Sequence, residues 1–330
     1  MTMKAASPST AGRGQAGRDG LIWAVIPAWN ALGRLPEVLE ALRGQVIGAV
    51  VVDNGSTDGT GDWLEGRGRR SAGAGDAAPT GPSLLLRVLV LPDNRGWPTA
   101  VNLGSRAAWD MGATAVLILN DDALVQPEAV GRLAAVLAAD PRAAAASARL
   151  AYRDRPNTLN GAGGMVDRRR AFAALRGEGE PDEGQYDHAP DPDYPSGAAS
   201  LIERAAWDAV GPFDEACYLY YEDVDWGLRA REAGWRVRYV PQALVLHLGS
   251  AATAADPARR RYYNVRNRLR FARRWGSGAA RWRCWLETLG LAARQPARWC
   301  LPSRRRDAEA VGWAIVDHLR GRYGRSSRFG

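Results

Sequence analysis

Apolar positions along the chain switch repeatedly between two spacings. Leu21–Ile26 is an unbroken apolar run of strand length, stopped by Pro27; Leu35, Val38, Leu39 and Leu42 then recur at helical spacing. Ile47–Val52 predicts a second strand and ends in DNGSTDGT. The polar, Gly-rich stretch from about 65 to 83 predicts a loop or an insertion. Leu84–Leu91 predicts a third strand, Thr99–Met111 a helix, and Ala115–Leu119 a fourth strand ending in NDD. Pro127–Leu137 predicts another helix, with proline near the first turn.

Strand runs that are continuous rather than alternating belong to strands buried on both faces. The pattern therefore predicts an α/β fold with a mainly parallel central sheet and flanking helices. Asn30, Asp53, Asp93 and Asp121–Asp122 all fall just after strand ends. In open α/β sheets those ends form the ligand crevice.

Farther along, Ser196–Ile202 predicts a short strand, Trp207–Asp214 a helix end with a GPFDE turn, Glu222–Gly234 a helix, and Val237–Val240 a strand leading into VLHLGS. Residues 177–193 hold seven acids and no basic residue, which predicts a solvated surface loop. The last eighty residues read as helices with short breaks, and Val311, Ala314, Ile315, His318 and Leu319 share one helix face.

Composition narrows the class. With 330 residues and 46% hydrophobic positions the chain can build a substantial core, which excludes general disorder. Cys217, Cys284 and Cys300 make no disulfide framework and no zinc spacing, consistent with a reducing compartment. The first twenty residues lack an apolar signal core, and no apolar run reaches membrane-spanning length. A cytoplasmic location follows as the expectation. The net charge of +8 is uneven: from residue 251 onward nineteen arginines face five acids, and the preceding part is net acidic. Such a basic tail suits phosphates, or a peripheral contact with an anionic membrane.

Five segments can carry chemistry. Asp53 with Ser56, Thr57 and Asp58 either accepts hydrogen bonds from a nucleoside or closes an Asx turn. Asn120, Asp121 and Asp122 offer adjacent oxygens that suit Mg²⁺ or Mn²⁺ bound together with substrate phosphates, or else cap a turn. In YYEDVDWGLR, helical spacing puts Glu222 and Asp225 on one face and Asp223 elsewhere; one carboxylate can serve as a general base, or the acids simply favour a helix start. His247, in a short apolar segment, is either a metal ligand or a core histidine. The run RYYNVRNRLRFARR can meet a diphosphate, an anionic membrane or only solvent.

Taken in order and spacing, these segments resemble the inverting nucleotide-sugar glycosyltransferases of family 2, with the GT-A fold, and within them the rhamnosyltransferase-like branch. The resemblance spans roughly residues 21 to 275. It implies a leader over 1–20, a catalytic domain over 21–255 with a nucleotide-binding half to about 125 and an acceptor-binding half from 126, and a basic helical extension over 256–330. VIPAWN matches the family's first motif and assigns Pro27, Trp29 and Asn30 to the nucleotide. VVVDNGSTDGT implies that Asp53 contacts the base, and LPDNRGWPTAVNLG implies that Asp93, Asn94, Gly96 and Asn102 close over base and ribose. LILNDDALV stands where the family keeps its D-x-D-like motif, so Asn120 and Asp121 fall at the donor and Asp122 at the metal. By the same carry-over Asp223 is the general base, Glu222 orients the acceptor, and His247 ligates the metal. Asp225, Trp226, Arg266 and Asn267 are assigned to acceptor or diphosphate contact.

The resemblance implies single-step displacement. An acceptor hydroxyl, relieved of its proton by Asp223, attacks the anomeric carbon of a nucleoside diphosphate sugar, with L-rhamnose from dTDP-rhamnose as the branch's donor. A glycan or polyprenyl-diphosphate-linked glycan is the expected acceptor. Two other classes compete. A nucleotidyltransferase would carry a Gly/Arg-rich phosphate loop where PAWNALG stands, and would release pyrophosphate. A nucleic-acid binder would use the basic tail, against which stand the acidic body and the lack of a recognisable module, so nucleic acid is not an expected partner.

Overall fold

The computed structural model describes residues 20–72, 84–249, 256–296 and 302–330. Nearly all of the expected leader, most of the expected 65–83 loop and the expected domain boundary at 255 lie outside the described residues.

Strands β1 (Ile22–Ala28), β2 (Gly48–Asp53) and β4 (Ala115–Leu119) are buried along almost their whole lengths, as continuous apolar runs require. Strand β3 (Leu85–Val90) is the sheet edge and is only partly covered. These four strands are parallel in the order β3-β2-β1-β4.

The sheet then departs from the parallel expectation. β10 (Ala199–Glu203) runs antiparallel between β4 and β6 (Ala143–Tyr152), while β11 (Arg236–His247) is parallel to β6 and takes β5 (Ala123–Val125) antiparallel on its far side. The inserted β10 has a consequence for the site. Its direction brings the segment before it, Ser196–Ala198, to the C-terminal end of β4, where the Asn120 amide donates to the Ala198 carbonyl at 3.0 Å. Likewise β11 is one long strand with a bulge after Val240, and its end delivers His247 beside Ala123. Short β7 (Leu159–Gly161) joins β6, and β8 (Gly164–Asp167) with β9 (Phe172–Leu175) forms a separate hairpin.

Helices cover both faces of the sheet. α1 (Leu35–Ala41) and α4 (Ala129–Ala139) bury Leu35, Val38, Leu39, Val130 and Leu133 on one face. On the other, α3 (Trp97–Asp110), α5 (Arg204–Val210) and α6 (Glu222–Glu232) enclose Val25, Trp109, Trp207, Phe213 and Trp226. Each fully buried aliphatic side chain contributes about 1.5–3 kcal/mol. Helix α2 (Thr60–Ala72) corrects the loop expectation for residues 65–72. The acidic 177–193 stretch is partly tied down rather than merely solvated: Asp182 pairs with Arg149 at 3.2 Å, Asp191 with Arg238 at 3.1 Å, and Asp193 with Arg231.

Three further helices follow: α7 (Pro257–Trp275), α8 (Gly278–Ala293) and α9 (Pro302–Leu319). Helix α7 starts on an Asp256 cap that accepts from the Arg259 amide at 3.1 Å. It buries Tyr262, Tyr263 and Leu269 against the body and α9. In α9 Val311 and Ala314 are buried, but Leu319 is exposed, so the expected apolar face stops at His318. Among the described residues no helix is long and apolar enough to cross a membrane.

Candidate active site

A cleft of about 490 Å³ opens at the C-terminal ends of β1, β2 and β4. The strand-end arrangement brings Pro27, Trp29, Asn94, Gly96, Asn120, Asp121, Asp122, Glu222, Asp223 and His247 to its lining.

On the floor, Asp121 Oδ2 accepts from the Trp29 amide at 3.2 Å and from Arg34 at 3.3 Å. Burial outweighs the nearby guanidinium and pushes the Asp121 carboxyl up to about 6. Asn120 accepts from the Trp97 indole at 2.9 Å, and its amide nitrogen lies 3.4 Å from His247 Nε2. His247 Nε2 stands 3.0 Å from Asp122 Oδ1, and its Nδ1 lies 2.8 Å from Asn160 Oδ1. An amide oxygen only accepts, so Nδ1 donates to Asn160 and Nε2 is left facing Asp122. A nitrogen and a carboxylate oxygen facing each other, with the imidazole oriented from behind, form a donor set that fits a divalent cation.

The acids of α6 line the same cleft. Asp223 Oδ2 accepts from the Gly197 amide at 3.2 Å and Oδ1 from the Val224 amide at 2.8 Å. A Cβ on Gly197 would come within 3.2 Å of the Trp97 ring, so a small residue is what lets the backbone approach. Burial pushes Asp223 up to about 6 despite these amide donors. Glu222 is raised further, first by burial and then by the charge of Asp223, and its buried Oε2 has no hydrogen-bond partner. Helical spacing had grouped Glu222 with Asp225; the structure instead turns Glu222 and Asp223 to the cleft.

The roof is the segment Tyr218–Tyr221, in which Tyr218, Tyr220 and Tyr221 take positive φ values of 62°, 69° and 72°. Bulky residues rarely hold that conformation without support. Asn267 supplies it by donating to the carbonyls of Cys217, Leu219 and Tyr220 at 2.9, 2.8 and 2.9 Å. Arg266 donates to Cys217 at 3.0 Å and to Gly324 at 2.7 Å. Gly96, at φ +91°, approaches the same segment so closely that a Cβ would lie 2.6 Å from the Tyr218 carbonyl oxygen.

The structure gives several of the expected contact residues partners within the protein. Arg266 and Asn267 are buried and donate to backbone carbonyls, which braces the roof. Asp225 binds Arg229 and Arg274, each at 2.9 Å, and Trp226 is buried in the core behind α6. Asp53 accepts from the Ser56 amide of its own turn at 3.1 Å, the Asx-turn alternative, while its neighbour Asn54 lines the cleft. Asn30 accepts from Thr57 at 2.8 Å, Asp93 pairs with Arg325 at 2.8 Å, and Asn102 clamps Phe213 at 3.0 Å. None of these three lines the cleft.

Other residues at the site were not singled out from the sequence. Asn160 orients His247, Trp97 and Gly197 brace Asn120 and Asp223, and Arg34 meets Asp121. Arg259, on the first turn of α7, is 7% exposed and lines the cleft. Its guanidinium sits 4.8 Å from the Trp29 ring centre and donates to Tyr218 Oη at 3.3 Å, yet its Nε has no partner. Among the described residues it has no carboxylate partner. Only its place one turn after the Asp256-Pro257 helix start distinguishes it in the sequence.

Comparison with known proteins agrees with this architecture. The Glycosyl transferase family 2 model matches residues 23–182, and the Glycosyl transferase family group 2 model matches residues 115–306. An N-acetylglucosaminyl-diphospho-decaprenol L-rhamnosyltransferase of Mycobacterium tuberculosis is 31% identical over 235 residues, covering 64% of this chain and 70% of that protein. The dTDP-rhamnosyl transferase RfbF of Shigella flexneri is 23% identical, covering 74% of this chain and 78% of that one. In fold the chain is similar to the mannosyltransferase PcManGT from Pyrobaculum calidifontis, solved in complex with GDP-Man and Mn²⁺, at a TM-score of 0.55 and 18% identity over 95% of this chain and 90% of that one. The fold is that of the GT-A glycosyltransferases. The chain belongs to glycosyl transferase family 2.

Proposed function

We propose that the cleft moves L-rhamnose from dTDP-rhamnose to a hydroxyl of a polyprenyl-diphosphate-linked glycan, with inversion at the anomeric carbon. One observation carries the reading: a single cleft is lined by the Asp122–His247 pair, by Arg259 without a carboxylate partner among the described residues, and by the buried acids Glu222 and Asp223. The names of the two rhamnosyltransferases support the choice of sugar, and the decaprenol-linked relative supports the acceptor class. The lipid carrier and the basic C-terminal part favour the cytoplasmic face of the cell membrane as the place of reaction.

Asp223 takes the proton of the acceptor hydroxyl as that oxygen bonds to the anomeric carbon. The bond from that carbon to the diphosphate breaks, and the diphosphate leaves with the electron pair. Glu222, whose carboxyl is pushed up by burial and by the charge of Asp223, orients the acceptor beside it. Arg259, which lines the cleft, offers its guanidinium to the departing diphosphate. Asp122 and His247 are the residues that would hold Mg²⁺ or Mn²⁺, with the remaining positions left to donor phosphates and water. When bound, the ion neutralises charge on the leaving group.

The test is a panel of nucleoside diphosphate sugars with a lipid-linked N-acetylglucosamine acceptor, with Mg²⁺, with Mn²⁺ and with chelator. Release of dTDP that needs both acceptor and divalent ion is expected. Release of pyrophosphate from a nucleoside triphosphate and a sugar phosphate would instead mark a nucleotidyltransferase.

A further inference from the structure

Helix α8 is apolar on both faces. Its inner face, Ala280, Cys284 and Thr288, is buried against the body. Its outer face carries Trp282, Leu286 and Leu289, which are 71%, 63% and 51% exposed. Their i, i+4, i+7 spacing puts them on one stripe. A surface helix of a water-soluble body carries polar residues there, so a contiguous apolar stripe marks a contact surface.

The surroundings of the stripe are basic. Arg281 and Arg283 lie exposed on α8 itself. The turn of the β8–β9 hairpin stands beside the helix, because Arg170 Nε lies 3.2 Å from Glu287 Oε1 and Arg268 donates to both the Arg170 carbonyl, at 3.0 Å, and Glu287, at 2.5 Å. That contact sets Arg168 and Arg169 next to α8, both exposed and neither in an ion pair among the described residues. From the same turn Phe172–Leu175 runs inward and lines the cleft. The hairpin thus meets α8 at Glu287 with its turn and lines the cleft with its second strand.

We propose that this face of α8, together with the hairpin-turn arginines, rests on an anionic lipid bilayer and holds the acceptor side of the cleft at headgroup level. The proposal rests on the reading that the acceptor is lipid-linked. Charge selects the occupant: lipid phosphates complement the arginines, whereas a second copy of this face would bring arginine against arginine. Tryptophan beside leucine suits the boundary between headgroups and acyl chains, and basic side chains add attraction to anionic lipid.

The full chain is sedimented with phosphatidylcholine vesicles that contain or lack phosphatidylglycerol, in low and high salt. Binding is expected only with phosphatidylglycerol and is weakened by salt. Trp282→Glu combined with Leu286→Glu, and separately Arg168→Glu combined with Arg169→Glu, should each weaken binding roughly tenfold or more. All four positions are solvent-exposed, and circular dichroism with thermal unfolding checks that the variants fold. Vesicle binding is read without turnover, so it stands or falls independently of the donor and acceptor assignment. Where turnover is measured, both variants should match the parent on a short-chain, water-soluble acceptor and lose activity only on one embedded in vesicles. Vesicle binding that is absent in the parent, or unchanged in both variants, overturns the proposal. So does a concentration-dependent dimer that Trp282→Glu with Leu286→Glu abolishes, which would assign the face to a second copy.

Discussion

The two sides of helix α6 carry the same kind of side chain in opposite circumstances. On the outer side Asp225 is met by Arg229, Arg274 and the Trp275 indole at 2.9, 2.9 and 3.0 Å. On the cleft side Asp223 receives only backbone amides, and Glu222 keeps an oxygen without a hydrogen-bond partner. Burial with a counter-charge makes a strut. Burial without one raises a carboxyl toward neutrality and leaves it ready to exchange a proton. The acids are three residues apart or fewer, so partner geometry, not sequence position, separates support from chemistry.

That contrast can be broken in graded steps. Asp122→Ala should cost about 10²–10³-fold in kcat, with a raised Mn²⁺ requirement seen in metal titrations of turnover. Arg259→Ala should weaken donor binding by about 10–100-fold, the worth of a charge-assisted hydrogen bond, as read by calorimetry with the nucleoside diphosphate.

The pH profile sharpens the cleft side of the comparison. A base must be ionised, and Asp223 is raised to about 6. Log kcat/KM should therefore climb with about unit slope below that value and level off above it. Stability runs the other way. A carboxyl raised by burial favours the folded state while protonated, and that contribution is lost as pH rises through the folded value. Asp223→Asn should unfold at a higher temperature than the parent at pH 8, with the difference vanishing as pH falls to about 4.

The outer side predicts the smallest effect on rate. Asp225→Asn should destabilise the protein by about 2 kcal/mol in denaturant unfolding, discounted for the partial exposure of Arg274. Turnover of the folded variant should stay within about twofold of the parent, because Asp225 lies outside the cleft.

How much the sequence disclosed follows the same division. β1, β2 and β4 were readable because doubly buried strands need unbroken apolar runs, and Asp122 stood out because it follows the end of one of them; the roles of Asp223 and His247 came from the resemblance to family 2. The antiparallel β10 was not readable, since one short apolar run fits either direction. Nor were the partners of each polar group. Asn267 and Arg266 belong to a conspicuous basic motif, yet their donors serve backbone carbonyls brought near by the fold. Asp53 was open between a ligand contact and a turn, and its Oδ1 accepts from the Ser56 amide of that turn at 3.1 Å. Arg259 is one arginine among nineteen in the tail, and only burial beside Trp29 sets it apart.

The central claim, that Asp223 is the base, is met most directly by Asp223→Asn assayed for dTDP release at saturating donor and acceptor, with donor affinity measured in parallel. Donor binding should stay close to that of the parent while the rate falls by about 10²–10⁴-fold. A variant that binds donor and still turns over within a few fold of the parent would contradict that claim.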